Sequence, residues 1–262
     1  MSIDYTKYHE QTANVYRKVD YGGNSIYNSG CGPSSLANAL MVLGIADISV
    51  KEACAFAISC NARIKNAGTD MRKLLDAAAK KWSITYTTTS SNAALAAHLR
   101  AGGVAIMNQG NSYRVFSNGG HFVVAAEIDN NNRVTVIDSY WNGTKYKTWP
   151  KYHAESKVLS RCFVRTPLDW CGKATVDRNP SYYLISKKAD KKMQSNQTAK
   201  KEEGDDMIYY KSIGDVPAAY RPSVQKLIDK GIIKGTGNGT LNISEDNCRM
   251  IVWNDRAGLY DK

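Results

Sequence analysis

Cys31 is the residue of this sequence whose surroundings best suit covalent chemistry. It lies in the segment SGCGPS, residues 29–34, directly before a predicted helix start. The unpaired backbone N–H groups and the dipole of such a start favour a thiolate, and the same N–H groups could hold an oxyanion. Gly30 and Gly32 keep both flanks of the cysteine slim, so the backbone of a substrate can approach.

A cysteine nucleophile also needs a base, which is usually a histidine. Among the four histidines, His121 best fits this role, because it follows Gly119-Gly120 and opens a strongly apolar strand. It would therefore lie at the lip of a buried strand. Of the other three, we expect His9 in a polar N-terminal segment, His98 at mid-helix on the surface and His153 in a loop.

An aspartate on the neighbouring strand completes the candidate constellation. Residues 129–132 predict a hairpin turn, and if Ile128 faces Arg133 across it, Asp138 lies diagonally opposite His121. Diagonal neighbours have Cα atoms about 7–8 Å apart, so Asp138 could orient the imidazole and stabilise its charged form. A lone histidine before a strand is usually structural, but Cys, His and Asp in these three settings are much harder to obtain by chance.

The elements that would position these residues are helices first and strands afterwards. Four helices are predicted, starting at Gly32-Pro33, at a Ser49–Glu52 capping box, at Asp70, and at Ser91 or Asn92. Three strands are predicted at 104–107, 122–128 and 133–140. Helices that precede an antiparallel sheet indicate an α+β fold.

Composition excludes several classes of protein. The chain has 262 residues, of which 43% are hydrophobic and 23% charged, and these globular values exclude a mostly disordered chain. No apolar run approaches the roughly 18 residues of a membrane span, so we expect no membrane insertion. The first thirty residues lack the apolar core of a signal peptide. We therefore expect a protein that is made in the cytoplasm and not classically exported.

The net charge of +11 favours an anionic partner. Most of that charge, +8, lies in residues 1–186, since residues 187–206 contribute +1 and residues 207–262 contribute +2. Nucleic acid, an anionic membrane and a polyanionic cell wall are the candidates, with simple solubility as an equal alternative. No nucleic-acid-binding signature accompanies the charge, so we do not expect a nucleic-acid partner.

The six cysteines do not form a metal site or a disulfide framework. No two of them have zinc-site spacing, and no signal peptide suggests an oxidising compartment. We therefore expect free thiols and neither a metal nor another cofactor. Besides Cys31, the expected small core residues are Cys54, Cys60, Cys162 and Cys248, whereas Cys171 is ambiguous.

A polar linker divides the chain. Residues 187–206 contain almost no apolar side chains and read as a solvated linker. It would separate a large domain, residues 1–186, from a small module, residues 207–262. The module predicts two helices, one after Pro222 and one capped by Ser244, with a turn at 235–239 between them.

Residues 21–187 resemble the papain-like cysteine peptidases related to the bacteriocin-leader-processing peptidases. The matching segments are YGGNSIYNSGCGPSSLANAL, GGVAIM, GGHFVVAAEID and RVTVIDSY. The resemblance implies a papain-like α+β fold, with Cys31 as nucleophile, His121 as general base and acid, and Asp138 as the orienting residue.

Two positions depart from that family pattern. Many relatives have a glutamine six residues before the nucleophile as an oxyanion donor, whereas this chain has Ser25, with Asn24 and Asn28 as alternatives. Relatives often continue with Asp-Pro after the second strand, whereas here Asp138 is followed by Ser139, Tyr140 and Trp141. The predicted oxyanion or substrate-binding residues are Ser25, Asn28, Gly30, Gly32, Gly120, Tyr140 and Trp141, although Tyr140 and Trp141 are equally well explained as a buried aromatic pair.

The C-terminal module resembles the short terminal modules of clostridial phage endolysins and, more faintly, the S-layer homology repeat. A helix pair of this size is often a stability or dimerisation element. Beside a hydrolase domain, attachment to the cell wall is the better prediction, with self-association as the alternative.

Met207 raises the possibility of a second gene product. The codons of residues 201–204 can spell a purine-rich ribosome-binding sequence, and two further codons separate them from Met207. The gene could then also make residues 207–262 as a free copy that assembles with the full chain. The alternative is an ordinary apolar residue that packs the module.

Together these features predict a phage or prophage endolysin, a cysteine hydrolase that cleaves amide bonds in peptidoglycan peptides. Such a lysin would stay in the host cytoplasm until lysis and then act at the wall, with peptidoglycan and associated anionic polymers as partners. The alternatives are a peptidase that processes double-glycine-type leader peptides and a non-enzymatic wall-binding protein. A leader peptidase usually accompanies a membrane transporter.

Overall fold

The computed structural model describes residues 3–148, 152, 155–188, 209–235, 240, 241 and 243–260. The chain divides into two compact units, Met1–Lys191 and Lys192–Lys262, and the division falls inside the predicted linker. Each unit packs around its own hydrophobic residues. Within the described residues, no helix is long and apolar enough to cross a membrane.

Five helices form the first part of the N-terminal unit, after a short 3-10 helix at Asn14–Tyr16. They are α1 (Ile26–Ser29), α2 (Cys31–Val42), α3 (Val50–Ser59), α4 (Met71–Lys81) and α5 (Asn92–Arg100). Side chains cap three of them as predicted: the Ser49–Glu52 capping box begins α3, Asp70 caps α4 and Ser91 caps α5. A two-stranded hairpin, β1 (Arg63–Ile64) with β2 (Gly68–Thr69), lies between α3 and α4.

A seven-stranded antiparallel sheet follows, in the order β3-β9-β4-β5-β6-β8-β7. Its strands are β3 (Ile84–Thr89), β4 (Val104–Gln109), β5 (His121–Ile128), β6 (Arg133–Ile137), β7 (Lys157–Ser160), β8 (Phe163–Pro167) and β9 (Tyr182–Lys187). Two short helices, α6 (Lys145–Thr148) and α7 (Leu168–Ala174), lie between strands. Helices followed by an antiparallel sheet make the α+β, papain-like fold that the sequence predicts.

The sheet separates two cores, and adjacent residues of one strand enter different ones. Val124 packs with Leu36 and Leu40 of α2, whereas Val123 packs with Leu95 of α5 and with Phe116. Because both faces are buried, β5 is apolar throughout its centre rather than alternating with polar residues. The sheet is therefore a rigid base for residues at the ends of β4, β5 and β6.

The predicted pairing of Ile128 with Arg133 is wrong, because Ile128 pairs with Val134. The Asp129 carboxylate accepts hydrogen bonds from the Arg133 and Asn131 N–H groups, and Asn132 adopts a left-handed conformation with φ of 56°. Five residues, 129–133, therefore separate Ile128 from its partner, one more than the four predicted.

A β-bulge between Ala125 and Glu127 restores the predicted register, because Val124 pairs with Ile137. Asp138 follows Ile137 directly, so the carboxylate still lies near His121. The prediction was wrong at the turn and right at the far end of the hairpin.

The C-terminal unit contains a two-stranded sheet and two helices. They are β10 (Tyr209–Tyr210), β11 (Ile243–Ser244), α8 (Arg221–Asp229) and α9 (Glu245–Arg256). Ser244 caps α9 as predicted, whereas residues 236–239 of the predicted turn lie outside the described residues. Among the described residues of this unit, four large apolar side chains are exposed: Ile232, Met250, Trp253 and Leu259.

All six cysteines are free thiols. Cys54, Cys162, Cys171 and Cys248 are buried, and burial raises the pKa of each of them. Cys60 is only half-buried, and so is Cys31. Burial assigns the ambiguous Cys171 to the core.

Candidate active site

Cys31 is the first residue of α2, with Gly30 as its N-cap. The first backbone hydrogen bond of the helix runs from the Ser34 N–H to the Gly30 carbonyl, at 2.9 Å, so the Cys31 and Gly32 N–H groups precede the helical ladder. Burial raises the pKa of the Cys31 thiol, but the hydrogen bond and charge of His121 oppose it. The Phe122 and Gly32 N–H groups also donate to the sulfur, and the pKa falls below its ordinary value.

His121 begins β5 and is 5% exposed. Its Nε2 lies 2.8 Å from Oδ1 of Asp138, and its ring also hydrogen-bonds with Cys31. Because Nε2 is hydrogen-bonded to Asp138, Nδ1 is the ring nitrogen that is available to hydrogen-bond with the Cys31 sulfur. Burial lowers the pKa of His121, but Asp138 and Cys31 outweigh burial and raise it to about 9. The two pKa shifts therefore both favour a thiolate beside an imidazolium.

Asp138 directly follows β6 and is fully buried. Oδ1 accepts from His121 and from the Tyr140 N–H, at 3.1 Å, while Oδ2 accepts from the Tyr146 hydroxyl at 2.6 Å and pairs with Lys145. Burial raises the pKa of Asp138, but the charges of Lys145 and His121 hold it below its ordinary value. The carboxylate is thus ionised and fixed from four directions.

Lys145 is a fully buried cation that sequence reasoning missed. Its Nζ pairs with Asp138 and donates to the carbonyls of Phe116, at 2.8 Å, and Tyr140. Three tyrosine rings surround the ammonium, with centroids 5.1–5.4 Å away: Tyr140, Tyr146 and Tyr152. Lysines are almost never fully buried unless paired, and Lys145 lies in a polar segment, so no local pattern could have identified it.

When the Cys31 thiol is ionised and His121 is protonated, four groups of alternating charge follow one another from the cleft into the interior. They are the Cys31 thiolate, the His121 imidazolium, the Asp138 carboxylate and the Lys145 ammonium. Their charges sum to zero, which lowers the cost of burying each one. Removing any one of them leaves an unbalanced charge among groups that are mostly buried.

An open cleft of about 550 Å³ gives access to Cys31 and His121. It is bounded by the start of α2, by the β1–β2 hairpin and by the segment that precedes β9. Five asparagines line it, Asn24, Asn28, Asn66, Asn108 and Asn179, together with Arg72 and Arg178. Amide side chains can both donate to and accept from a peptide backbone, so the lining suits an extended peptide. No cluster of the described residues could hold a metal ion.

The model of the Peptidase_C39 like family matches residues 3–161, more than half of the chain, and this range contains Cys31, His121 and Asp138. The chain belongs to this family. Its N-terminal unit is thus a C39-like cysteine peptidase domain with a papain-like fold. The S-layer homology domain matches residues 210–245 of the C-terminal unit.

Among solved structures, a crystal structure of a C39-like peptidase from Bacillus anthracis is similar. It shares 15% sequence identity with this chain at a TM-score of 0.43, over 62% of this chain and 91% of that chain. The search of curated proteins gives no significant match.

In the C39-like unit, two of the predicted flanking residues line the cleft, Asn28 and Gly120. Ser25 does not line it, because its hydroxyl caps α1 and accepts from the Asn28 N–H at 3.3 Å. Asn28 is exposed, and its amide also contacts the side chain of Asn24. The side chain at the cleft is therefore that of Asn28 rather than that of Ser25.

Close packing explains the glycines that flank Cys31. A Cβ on Gly30 would lie 2.6 Å from the carbonyl oxygen of Ile26, and one on Gly32 would lie 2.7 Å from Cβ of Thr69. Neither glycine lines the cleft. Both positions are needed to seat the start of α2 against the protein rather than to admit a substrate.

Tyr140 and Trp141 also lie outside the cleft lining. The Tyr140 ring meets His121 edge to face, with centroids 6.0 Å apart. Trp141 packs against Tyr146, with centroids 6.1 Å apart. Both side chains are half-buried and pack against different neighbours, so the prediction of a buried pair describes them only in part, and Tyr140 contacts the His121 ring from the side.

The remaining histidines have other partners. His98 is not a surface residue as predicted, because its Nε2 lies 3.1 Å from the Val104 carbonyl oxygen and 3.0 Å from that of Ile185. It ties α5 to the sheet. His9 lies 2.8 Å from Asp47, and His153 lies outside the described residues.

Proposed function

We propose that this protein is a peptidoglycan hydrolase that cleaves an amide bond in bacterial wall peptides, and that it serves a phage or prophage as an endolysin. The observation that carries the proposal is the hydrogen-bonded series Cys31, His121 and Asp138 beside an open, polar cleft. The S-layer homology match supports association with the cell surface and with wall polymers. The net charge of +11 suits an anionic wall.

Cys31, His121 and Asp138 act together in the proposed reaction. The Cys31 thiolate attacks the carbonyl carbon of the amide, and the imidazolium of His121 protonates the leaving amine as the C–N bond breaks. Water, deprotonated by His121, then cleaves the thioester and releases the acid. Asp138 orients His121 throughout, and Lys145 and Tyr146 hold Asp138 in place.

Backbone and amide donors would stabilise the oxyanion of the intermediates. The Cys31 N–H has no partner within its own helix, whereas the Gly32 N–H is already directed at the sulfur. Asn28 lies three residues earlier and lines the cleft. We assign the oxyanion to the Cys31 N–H and the Asn28 side chain, and Ser25 remains a helix cap.

The C-terminal unit would hold the enzyme at the wall after its release from the host cytoplasm. Met250 and Trp253 lie three residues apart on α9 and are both exposed, so they share one face of the helix. This face supports binding to wall polymers, with self-association, including association with a free copy of residues 207–262, as the alternative.

Mass spectrometry of fragments released from purified walls tests the proposed reaction. An amidase would free whole stem peptides from the glycan, whereas an endopeptidase would create new termini within the peptides. Cys31→Ala protein serves as the inactive control. Cleavage of a double-glycine-type leader peptide without release from walls would favour the leader-processing alternative, and binding to walls without any cleavage would favour a non-enzymatic role.

A further inference from the structure

Arg178 places an unpaired charge in the cleft of the C39-like unit. It lies between α7 and β9 and lines the same cleft as Cys31 and His121. Its Nε is buried without a hydrogen-bond partner. In the described part of the chain, no carboxylate forms an ion pair with its guanidinium. The side chain as a whole is half-buried, and a buried donor without a partner costs free energy, so the site favours an anionic ligand.

The segment that carries Arg178 is held firmly against the sheet. The Arg178 N–H donates to the Thr175 carbonyl at 3.0 Å, and its own carbonyl accepts from the Ser181 hydroxyl at 3.1 Å. The Ser181 carbonyl in turn accepts from the Asn108 N–H at 2.9 Å. A Cβ on Gly120 would lie 2.9 Å from Nη2 of Arg178, so the guanidinium reaches the residue directly before His121.

The rest of the lining offers Arg178 no competing carboxylate. Asp70 is the one carboxylate among the described residues that line the cleft. It caps α4 by accepting the Lys73 N–H, and it lies 3.7 Å from Nζ of Lys73. Arg72 adds a second positive charge to the same cleft. The cleft thus carries an excess of positive charge near the nucleophile.

We infer that Arg178 forms a carboxylate-binding subsite, which selects peptides with a free carboxylate close to the amide that Cys31 attacks. The planar guanidinium matches a carboxylate with two parallel hydrogen bonds. The part of this inference that concerns the cleaved amide rests on the proposed hydrolase function. Binding of the carboxylate can be measured without any cleavage.

Protection of Cys31 from alkylation measures this binding without a known substrate. Acetylated and amidated tripeptides of alanine, with one Glu at each position in turn and the matched Gln peptides, compete with iodoacetamide for the cleft. Labelling of Cys31 is followed by mass spectrometry. We expect at least one Glu peptide to protect at about tenfold lower concentration than its Gln match, as one charged hydrogen-bond pair supplies.

Arg178→Gln should reduce this Glu-over-Gln preference to about one, whereas Arg72→Gln should retain most of it, because Arg72 is exposed and screened. Thermal unfolding verifies that each variant is folded. If Arg178→Gln does not fold, Arg178→Lys, which keeps the charge but lacks the planar fork, must reduce the preference.

Three results would overturn the subsite: no Glu preference in the wild type, a preference that survives the loss of Arg178, or an equal loss in Arg72→Gln. The proposed hydrolase function fails separately. If the Glu preference depends on Arg178 while purified walls release no fragments, the carboxylate-binding subsite is supported and the proposed hydrolase function is wrong.

Discussion

Lys145 and Asp138 form an ion pair in which neither side chain has any solvent exposure. The same carboxylate accepts from His121 on its other oxygen. Asp138 therefore stands between two cations, and His121 between two anions when Cys31 is a thiolate. The charge state of the nucleophile is thus coupled to a lysine that does not touch it.

Replacement of Cys31 by Ala should abolish release of wall fragments, a loss of roughly 10⁴-fold or more. The protein should remain folded, because alanine has the same backbone and Cβ as cysteine and can begin α2 equally well. Iodoacetamide should have the same effect on the wild type. Cys60→Ala is the matched control, since Cys60 is the other half-buried thiol. Full activity of the Cys31→Ala protein would contradict the proposed nucleophile.

Activity should decline on the alkaline side near pH 9, where His121 loses its proton. The pKa of this imidazole is raised, so its charged form is present below that pH and is lost as the pH rises through it. In Asp138→Asn, burial is no longer opposed by the carboxylate, and the alkaline limb should move to lower pH. Rates of Cys31 alkylation against pH measure the shift, and an unmoved limb in Asp138→Asn would exclude the assigned coupling.

Removal of residues 207–262 should leave a folded C39-like unit, because among the described residues its two cores are built entirely from the N-terminal unit. Sedimentation with purified walls should show weaker binding of the shortened chain and binding of the isolated module. Trp253→Ala should weaken binding by the module if its exposed face contacts wall polymers. If the isolated module does not bind walls but forms oligomers in sedimentation, its role is self-association instead.

Internal initiation at Met207 predicts a fragment of residues 207–262 in recombinant preparations. Intact-mass analysis should detect a species that begins at Met207, and silent recoding of codons 201–204 should remove it. A fragment that survives recoding would come from proteolysis within the predicted linker. Met207 itself lies outside the described residues.

The parts of this site that a sequence can predict are those with strong local signals. A cysteine before Gly-Pro and a histidine after Gly-Gly mark the starts of α2 and β5, and the structure brings these two residues together. Asp138 required a hairpin register, and the turn prediction failed by one residue because Asn132 adopts a left-handed conformation. The bulge at Ala125 restored the pairing, and a bulge in an apolar strand leaves no local signal.

The burial of Lys145 beside Asp138 could not be predicted from the sequence, for a different reason. Lys145 is buried by contacts with the carbonyl of Phe116, 29 residues earlier in the chain, and with the rings of three nearby tyrosines that fold around its ammonium group. Such an environment exists only after the chain has folded. His98 escaped prediction in the same way, since its partners are carbonyls of two separate strands.

The buried pair should show strong coupling in a double-mutant cycle. Lys145→Met leaves the Asp138 carboxylate buried beside a single cation, and Asp138→Asn leaves the Lys145 ammonium without its counter-charge. Each change should lower the free energy of unfolding by about 3–5 kcal/mol.

The double variant removes both charges, so it should be more stable than the sum of the single losses by about 2–3 kcal/mol. Urea unfolding of the full chain, followed by labelling of the buried Cys162, reports the N-terminal unit alone. Additive losses would show that the two charges do not stabilise each other. Lys145→Met should also raise the pKa of His121, because its partner Asp138 then has no competing cation. The pH at which the rate of Cys31 alkylation changes on the alkaline side should therefore be higher. A lysine that only filled space would leave that pH unchanged.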